Sequence, residues 1–437
     1  MKPEEGSVKG HLIGAFLLGL GLTSVLSPAQ AQTTTVTFWG QALPPTDRAA
    51  LDEIIQAYEA KHTDVKINYV PVSASETDES KLMTAVRGGV GPDVYFLNRF
   101  ATLERASQGL LENLKPLMDA EGVDLSTSYS SFAWGDVSDD KGFYALPFDT
   151  DARVLFYNRG LLKEAGIDLA PFDPANGPMT PDQVNEIAAQ LNVKDANGQY
   201  DRIGFIPWFE QGWHYTWGVA FGGKFQDSKC KVTPADPGAV AGLDYMGRSA
   251  KALDYQAVQQ FLNSYYPPNS PAQSNPFLTG KVGMMISGDW MLPQFPQYAP
   301  DLDWAMTYVP SPDRAITSWS AGWSLAIPSG AKNLQAAYDF ARFATGEDGQ
   351  RIYVQKSAHL PTWASLIDED IYDEHHVFFK NLLPHTSPLF QLPTGALYWD
   401  ELTRAQEAVL AGTATAQAAM ETASSRVQPR LDRACAR

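Results

Sequence analysis

Between residues 34 and 97 the chain alternates strand-like and helix-like segments, and this order restricts the possible folds more than any other feature. Residues 34–39 (TTVTFW) are β-rich and residues 40–45 (GQALPP) form a turn. From Thr46, Leu51, Ile54, Ile55 and Tyr58 recur at helical spacing as one apolar stripe. Val65, Ile67 and Tyr69 then alternate with Lys66 and Asn68 as in a strand. Residues 79–87 are helical until Gly88-Gly89 stops them, and residues 93–97 (DVYFL) form a third strand. Parallel strands need a crossover between them, so the order predicts an α/β fold with helices on the faces of a parallel sheet. In such sheets ligands lie beyond the carboxyl ends of the strands, which directs attention to the turns after Trp39 and Leu97. The Pro/Gly-rich breaks at 171–178, 264–276 and 308–313 read as loops, and no internal repeat interrupts the pattern.

With 437 residues, 44% of them hydrophobic, the chain can bury two or three cores of ordinary size, so disordered and disulfide-scaffold classes are excluded. Thirty-three basic residues face 50 acidic ones, a net charge of −17, and no Lys/Arg run forms a local exception. Such a surface repels phosphate backbones and anionic lipid, which excludes nucleic-acid binding.

Residues 12–26 (LIGAFLLGLGLTSVL) are uncharged and apolar, and small residues follow at Ala29 and Ala31. The run is shorter than the roughly 20 residues that span a bilayer, so residues 1–31 read as a secretory signal cleaved after Ala31. In front of it Lys2 and Lys9 are offset by Glu4 and Glu5, so the leader lacks the usual positive patch. No later segment is apolar enough to span a membrane and no Cys follows the apolar run to take a lipid, so a soluble protein outside the inner membrane is expected. Cys230 and Cys435 would reach an oxidising compartment, where a disulfide from the C-terminal tail to mid-chain is preferred over two free thiols.

Several motifs recur in a familiar order. Gly91-Pro92-Asp93-Val94 precedes Gln108-Gly109-Leu110-Leu111, and residues 142–147 (GFYALP) lead to Leu155-Phe156-Tyr157-Asn158. Residues 277–285 (FLTGKVGMM) lead to Gly288-Asp289-Trp290, followed by residues 321–328 (AGWSLAIP), Glu347-Asp348-Gly349-Gln350 and His359-Leu360-Pro361. Singly these are weak, but jointly they cover nearly the whole chain after the leader. The chain thereby resembles the extracellular solute-binding protein family 1, the sugar receptors of ABC importers.

That resemblance implies a two-lobed periplasmic-binding-protein fold (type II-like), hinged, with ligand in the interlobe cleft. It puts chain crossings near 146–149, 312–318 and 361–364. The lobes would be 32–147 with 318–361, and 148–317 with 362–437. Both cysteines would share the second lobe, so their disulfide would not lock the hinge. It further implies a non-catalytic, cofactor-free monomer in the periplasm or outside the cell, which binds a carbohydrate and delivers it to ABC permease subunits.

A neutral sugar offers hydroxyls at its rim and weakly apolar C–H faces, so its site needs aromatic platforms with planar donors and acceptors. Eleven Trp are present, and Trp39, Trp208, Trp213, Trp217, Trp290, Trp323 and Trp399 fall on predicted turns or element ends. By position and resemblance the candidate ligand contacts are Trp39 and Gln41 after the first strand, and Asn98 and Arg99 after the third. Asp149 and Asp151 stand at the first crossing. Trp213 and His214 lie in the aromatic stretch 208–217, and Trp290, Gly322, Trp323 and Trp399 complete the set. Arg99 reads equally as half of a structural ion pair, Asp149 as a turn cap, and Asp151 could pair with Arg153.

Other chemistries leave weaker marks. His375-His376 lacks the spacing of a metal site, and there is neither a phosphate-binding Gly-rich loop nor a G-x-S-x-G elbow. A secreted glycoside hydrolase using Asp149 and Asp151 is the competing enzyme class. Within the same fold, a polyamine would suit an acidic aromatic cleft, whereas glycerol 3-phosphate would call for more basic residues than Arg99 and Arg153.

Overall fold

Alternate residues of the strand Thr34–Gly40 point into a core, where Val36 and Phe38 are fully buried. This strand pairs in parallel with Val65–Pro71 on one side and Val94–Asn98 on the other. The helices Pro45–Lys61 and Ser80–Arg87 make the crossovers, and the first buries Leu51, Ile54, Ile55 and Tyr58. The computed structural model describes residues 33–72 and 80–436, so the leader at 1–31 lies outside the described residues.

A late return of the chain completes this first sheet. The strand Trp323–Ala326 enters antiparallel between Val94–Asn98 and Ala145–Pro147. The second five-stranded sheet runs in the order Trp304–Thr307, Arg153–Asn158, Val282–Gly288, Tyr200–Glu210, Val193–Lys194, with only Val282–Gly288 and Tyr200–Glu210 parallel. Every residue of Arg153–Asn158 and Val282–Gly288 is buried, as expected of strands covered on both faces. Each sheet has its own hydrophobic core, one built around Phe38, Leu97, Leu325 and Phe340, the other around Phe156, Met284, Trp217 and Met420.

The chain passes between the sheets where short strands form. From Ala145–Pro147 it runs through Asp149–Thr150 into Arg153–Asn158, and Asp149–Thr150 pairs with Leu360–Pro361. From Trp304–Thr307 it returns through Ser318–Ser320, which pairs with Thr386–Pro388, into Trp323–Ala326. This is a two-lobed α/β fold in which short paired strands accompany the passages between the lobes.

Cys230 is disulfide-bonded to Cys435, the last residue of the helix Ala416–Cys435. Beside the bridge Gln428 donates to the Cys230 carbonyl at 2.9 Å and accepts from Val232 N at 3.0 Å. Val232, Val427 and Leu431 all belong to the second core, so the bridge staples elements of one sheet's surroundings. Among the described residues no helix is long and apolar enough to cross a membrane, and no cluster of His, Cys, Asp and Glu is arranged to hold a metal ion. His375 instead packs against the Trp304 ring at 4.8 Å, and His376 Nδ1 lies 2.6 Å from the helix-capping Asp373.

Candidate functional site

A cleft of about 300 Å³ opens between the two sheets. Its second-sheet side is aromatic. Trp399, on the helix Gly395–Leu410, meets the Trp213 ring edge-on at 5.0 Å, and Trp319 lies 6.0 Å from Trp213 and 6.2 Å from Trp399. Trp319 is only 1% exposed, and its indole N–H donates to Thr216 Oγ1 at 2.7 Å, so this wall is continuous with the second core. Trp290 completes it, its ring folded back over Gly288; a Cβ there would collide with the indole, so only glycine admits this conformation.

Arg153 crosses the aromatic wall. Its guanidinium lies 3.4 Å from the Trp319 ring centre and 5.3 Å from that of Trp290, a stacked cation held by Asp151 and by Gln211 Oε1 at 3.3 Å. The Asp151 carboxylate also accepts from Ala321 N at 2.8 Å. The local cause is the position of Arg153 at the start of its strand, where Ser318 Oγ accepts from Arg153 N at 2.8 Å and donates to Arg153 O at 2.9 Å.

The facing side is mostly polar. Residues 41–44 form its rim, with Asp47 on the first turn of the helix that follows. Asn98 sits at the carboxyl end of Val94–Asn98, where α/β sheets place ligands, and its buried Oδ1 has no hydrogen-bond partner among the described residues. Trp323 stacks on Phe96, centroids 5.0 Å apart and planes 6° from parallel. Gly322 has φ of 144°, and a Cβ there would strike the Asp149 carbonyl and the Arg99 guanidinium.

At the cleft floor His359 lies with Nε2 3.4 Å from Asp47 and Nδ1 3.3 Å from Asp289. Burial alone would lower its pKa, but the charges of Asp289 and Asp47 outweigh that and hold it well above 6.5.

Of the sequence candidates, Gln41, Asn98, Asp151, Trp213, Trp290, Gly322, Trp323 and Trp399 meet at the cleft. Four others do not line it. Trp39 points to the opposite face of its strand, where Lys81 Nζ lies 5.3 Å from the ring. Arg99 is 1% exposed and fully engaged: Nε donates to Asp136 at 3.1 Å, Nη2 to the Ala321 carbonyl at 2.6 Å, and Nη1 to the Asp149 carbonyl. Asp149 is buried behind Gly322, one oxygen accepting from Trp323 N at 2.7 Å. Burial raises its pKa to about 7 despite the opposing pull of His359, Trp323 N and Arg99. His214 is buried behind Trp399 at 4.8 Å, and burial lowers its pKa to about 3, so it is neutral. These four support the walls rather than face the space.

Sequence reasoning missed Asp47, Gln211, Trp319 and His359 as cleft residues, and it weighed Arg153 as a partner of Asp151 and as a base near the cleft without naming it a ligand contact. Trp319 carries a faint signal, a bulky ring between two serines at a chain crossing. For Asp47 and His359 there is none, because each acquires its meaning from the other.

Two α/β lobes, several connections and a cleft lined from both sheets define a receptor that surrounds a small molecule. The chain belongs to the bacterial extracellular solute-binding proteins, which it matches over residues 44–351. A Brucella abortus protein named as a putative binding protein is 24% identical over 417 residues, covering 94% of this chain and 96% of the relative. The mannitol-binding protein of Pseudomonas aeruginosa is 26% identical over 324 residues, 69% of this chain and 67% of that one. In fold the chain is similar to CpMnBP1 with mannotriose bound, with a TM-score of 0.77 at 24% identity, covering 90% of this chain and 99% of that one. The family and these relatives are binding proteins, not enzymes.

Proposed function

We propose that this chain is the exported substrate-binding component of an ABC importer, capturing a mono- or oligosaccharide between two lobes and delivering it to a membrane permease. The lobes are taken as 32–147 with 318–361, and 148–317 with 362–437, and the leader as removed in the periplasmic or extracellular protein. The observation that carries this is the pairing of a tryptophan wall with a polar wall across one cleft. Aromatic faces suit the C–H faces of a sugar, and Gln41, Asn98 and Gln211 suit its hydroxyls. The relatives named for mannitol and solved with mannotriose bind ligands of this chemistry.

Charge separates this ligand class from a polyamine. The cleft-lining acids are both engaged within the protein, Asp151 by Arg153 and Asp47 by His359, which it shares with the buried Asp289, so neither faces the cleft as a free carboxylate for a cation. The same pairing counts against a hydrolase, since Asp151 is bound to Arg153 and Asp149 is buried behind the wall. Capture works by hinge closure: contacts from both lobes exist together only in the closed state, so ligand shifts the population by its differential affinity.

The test is a thermal-shift screen of residues 32–437 against mono- and oligosaccharides, with spermidine and glycerol 3-phosphate as controls. A ligand at 100 times its Kd stabilises by about 2.7 kcal/mol. A shift with one sugar series is expected; a shift with spermidine or the phosphate alone overturns the ligand class.

A further inference from the structure

His359 is presented to the cleft by a strained turn. The helix Glu347–Lys356 ends just before Ser357, and Ala358 adopts φ of 101°, a region in which a residue with a Cβ is strained. Such strain persists only where the surrounding structure enforces it, and it clusters at functional positions. The turn lays the imidazole over the Tyr353 ring, centroids 5.6 Å apart and planes 3° from parallel, and leaves its two nitrogens 3.4 and 3.3 Å from two different carboxylates. Asp47 stands on the first helix of the first sheet, and Asp289 directly follows the strand Val282–Gly288 of the second.

A neutral imidazole has one N–H and could donate to only one of them, leaving the other oxygen against a lone pair. The imidazolium is attracted to both carboxylates at once, so a ring with one carboxylate 3.4 Å from Nε2 and another 3.3 Å from Nδ1 favours the charged form. Asp289 has no exposed surface and His359 is 9% exposed, so loss of the proton would leave buried charge without its counter-ion. The other ionisable groups around the ring are Asp149 on the adjoining short strand, Tyr353 on the preceding helix, and Arg153 with Asp151 beyond Asp289.

We propose that His359 is a positioning residue whose imidazolium ties the Asp47 side of the cleft to the Asp289 side, so that the spacing of the lobes depends on proton occupancy of this ring. Its consequence for capture rests on the carbohydrate reading, whereas the lobe spacing does not require any ligand. Alkaline conditions loosen the tie and favour the open form.

The test uses the ligand-free protein with spin labels at Val90→Cys and Lys251→Cys, exposed positions flanking the two sheets, and measures the interlobe distance between pH 5 and 9. In the wild-type background the distribution should broaden toward longer distances as pH rises, and His359→Gln should remove that dependence. A wild-type distribution unchanged across the range, or an unaltered pH response in His359→Gln, overturns the proposal. Because His359→Gln could misfold, Asp47→Asn provides a second variant that keeps the ring and Asp289; its transition should fall to lower pH. Nitrogen chemical shifts of 15N-histidine-labelled protein give an independent check. Both ring nitrogens of His359 should be protonated at pH 7, and a neutral tautomer there overturns the proposal. A silent sugar screen with an intact pH transition would sink the ligand class and leave the His359 tie standing.

Discussion

Across the cleft, Trp213, Trp319 and Trp399 brace one another at 5.0 to 6.2 Å as an extension of the second core. On the facing side Gln41, Asn98 and Trp323 arrive from three separate passages of chain and share a single stacked pair, Phe96 with Trp323. The difference teaches where stability and binding coincide. The rings of the aromatic wall pack on one another, and Trp319 and Trp399 also fill core volume. The polar wall carries groups whose hydrogen-bonding capacity is not consumed by the fold, as the unpartnered Asn98 oxygen shows.

Substitutions should break this contrast in graded fashion. Trp319→Ala removes a ring that is both core and wall, so it should cost about 3–5 kcal/mol of stability in chemical denaturation and abolish binding as well. A stable variant with intact affinity would separate the wall from the core. Cys230→Ser opens a bridge confined to the second-sheet side and should cost about 2–4 kcal/mol of stability with ligand affinity unchanged by calorimetry. A weakened affinity would mean that the bridge also shapes the cleft. Trp290 is only half-buried, so Trp290→Ala should weaken binding by about 1–3 kcal/mol while the melting curve holds; unchanged affinity would take Trp290 out of the site. On the polar side, Asn98→Ala should cost about 0.5–1.5 kcal/mol in binding, the value of one hydrogen bond.

The smallest change expected at acid pH comes from Asp149→Asn. Burial raises the folded-state pKa of Asp149, and of Glu210 in the second lobe, to about 7. Unfolding lets both carboxyls release protons at pH values where the folded chain still holds them. Stability therefore falls as pH rises from about 4 to 7. His359 has the same sign: its contribution is complete below about 6.5 and is lost as pH climbs toward its raised folded-state value. Wild-type protein should melt lower at pH 8 than at pH 5, and Asp149→Asn should flatten the acid part of that slope. An equal slope in the variant would assign the effect to the other carboxyls that burial holds above their ordinary range, Glu210, Glu104, Asp136 and Asp289.

The two arginines that the sequence places near the cleft exchange roles once folded. Arg99 follows the third strand, where a ligand contact was expected, yet two main-chain carbonyls and Asp136 consume its donors. Arg153, two residues beyond Asp151, lies on the Trp319 face and borders the open space. Nothing local distinguishes them, because each is a buried cation in a β-rich context. What differs is that the Ala321 and Asp149 carbonyls, from distant parts of the chain, converge on the first.

Local patterning determined the α/β alternation from Thr34 to Leu97, the helix stripe through Leu51 and Tyr58, and the turn positions that bring Gln41 and Asn98 to the rim. Each depends on side chains a few residues apart, where periodicity expresses which face is buried. Motif order carried Trp213, Trp290 and Trp399 to the site as well. The tertiary structure alone decided the antiparallel entry of Trp323–Ala326, the inclusion of Trp319 in the wall, and the meeting of Asp47, His359 and Asp289. The energy of a buried charge depends on which partners lie within a few ångströms. Those partners come together only when separate passages of chain have docked.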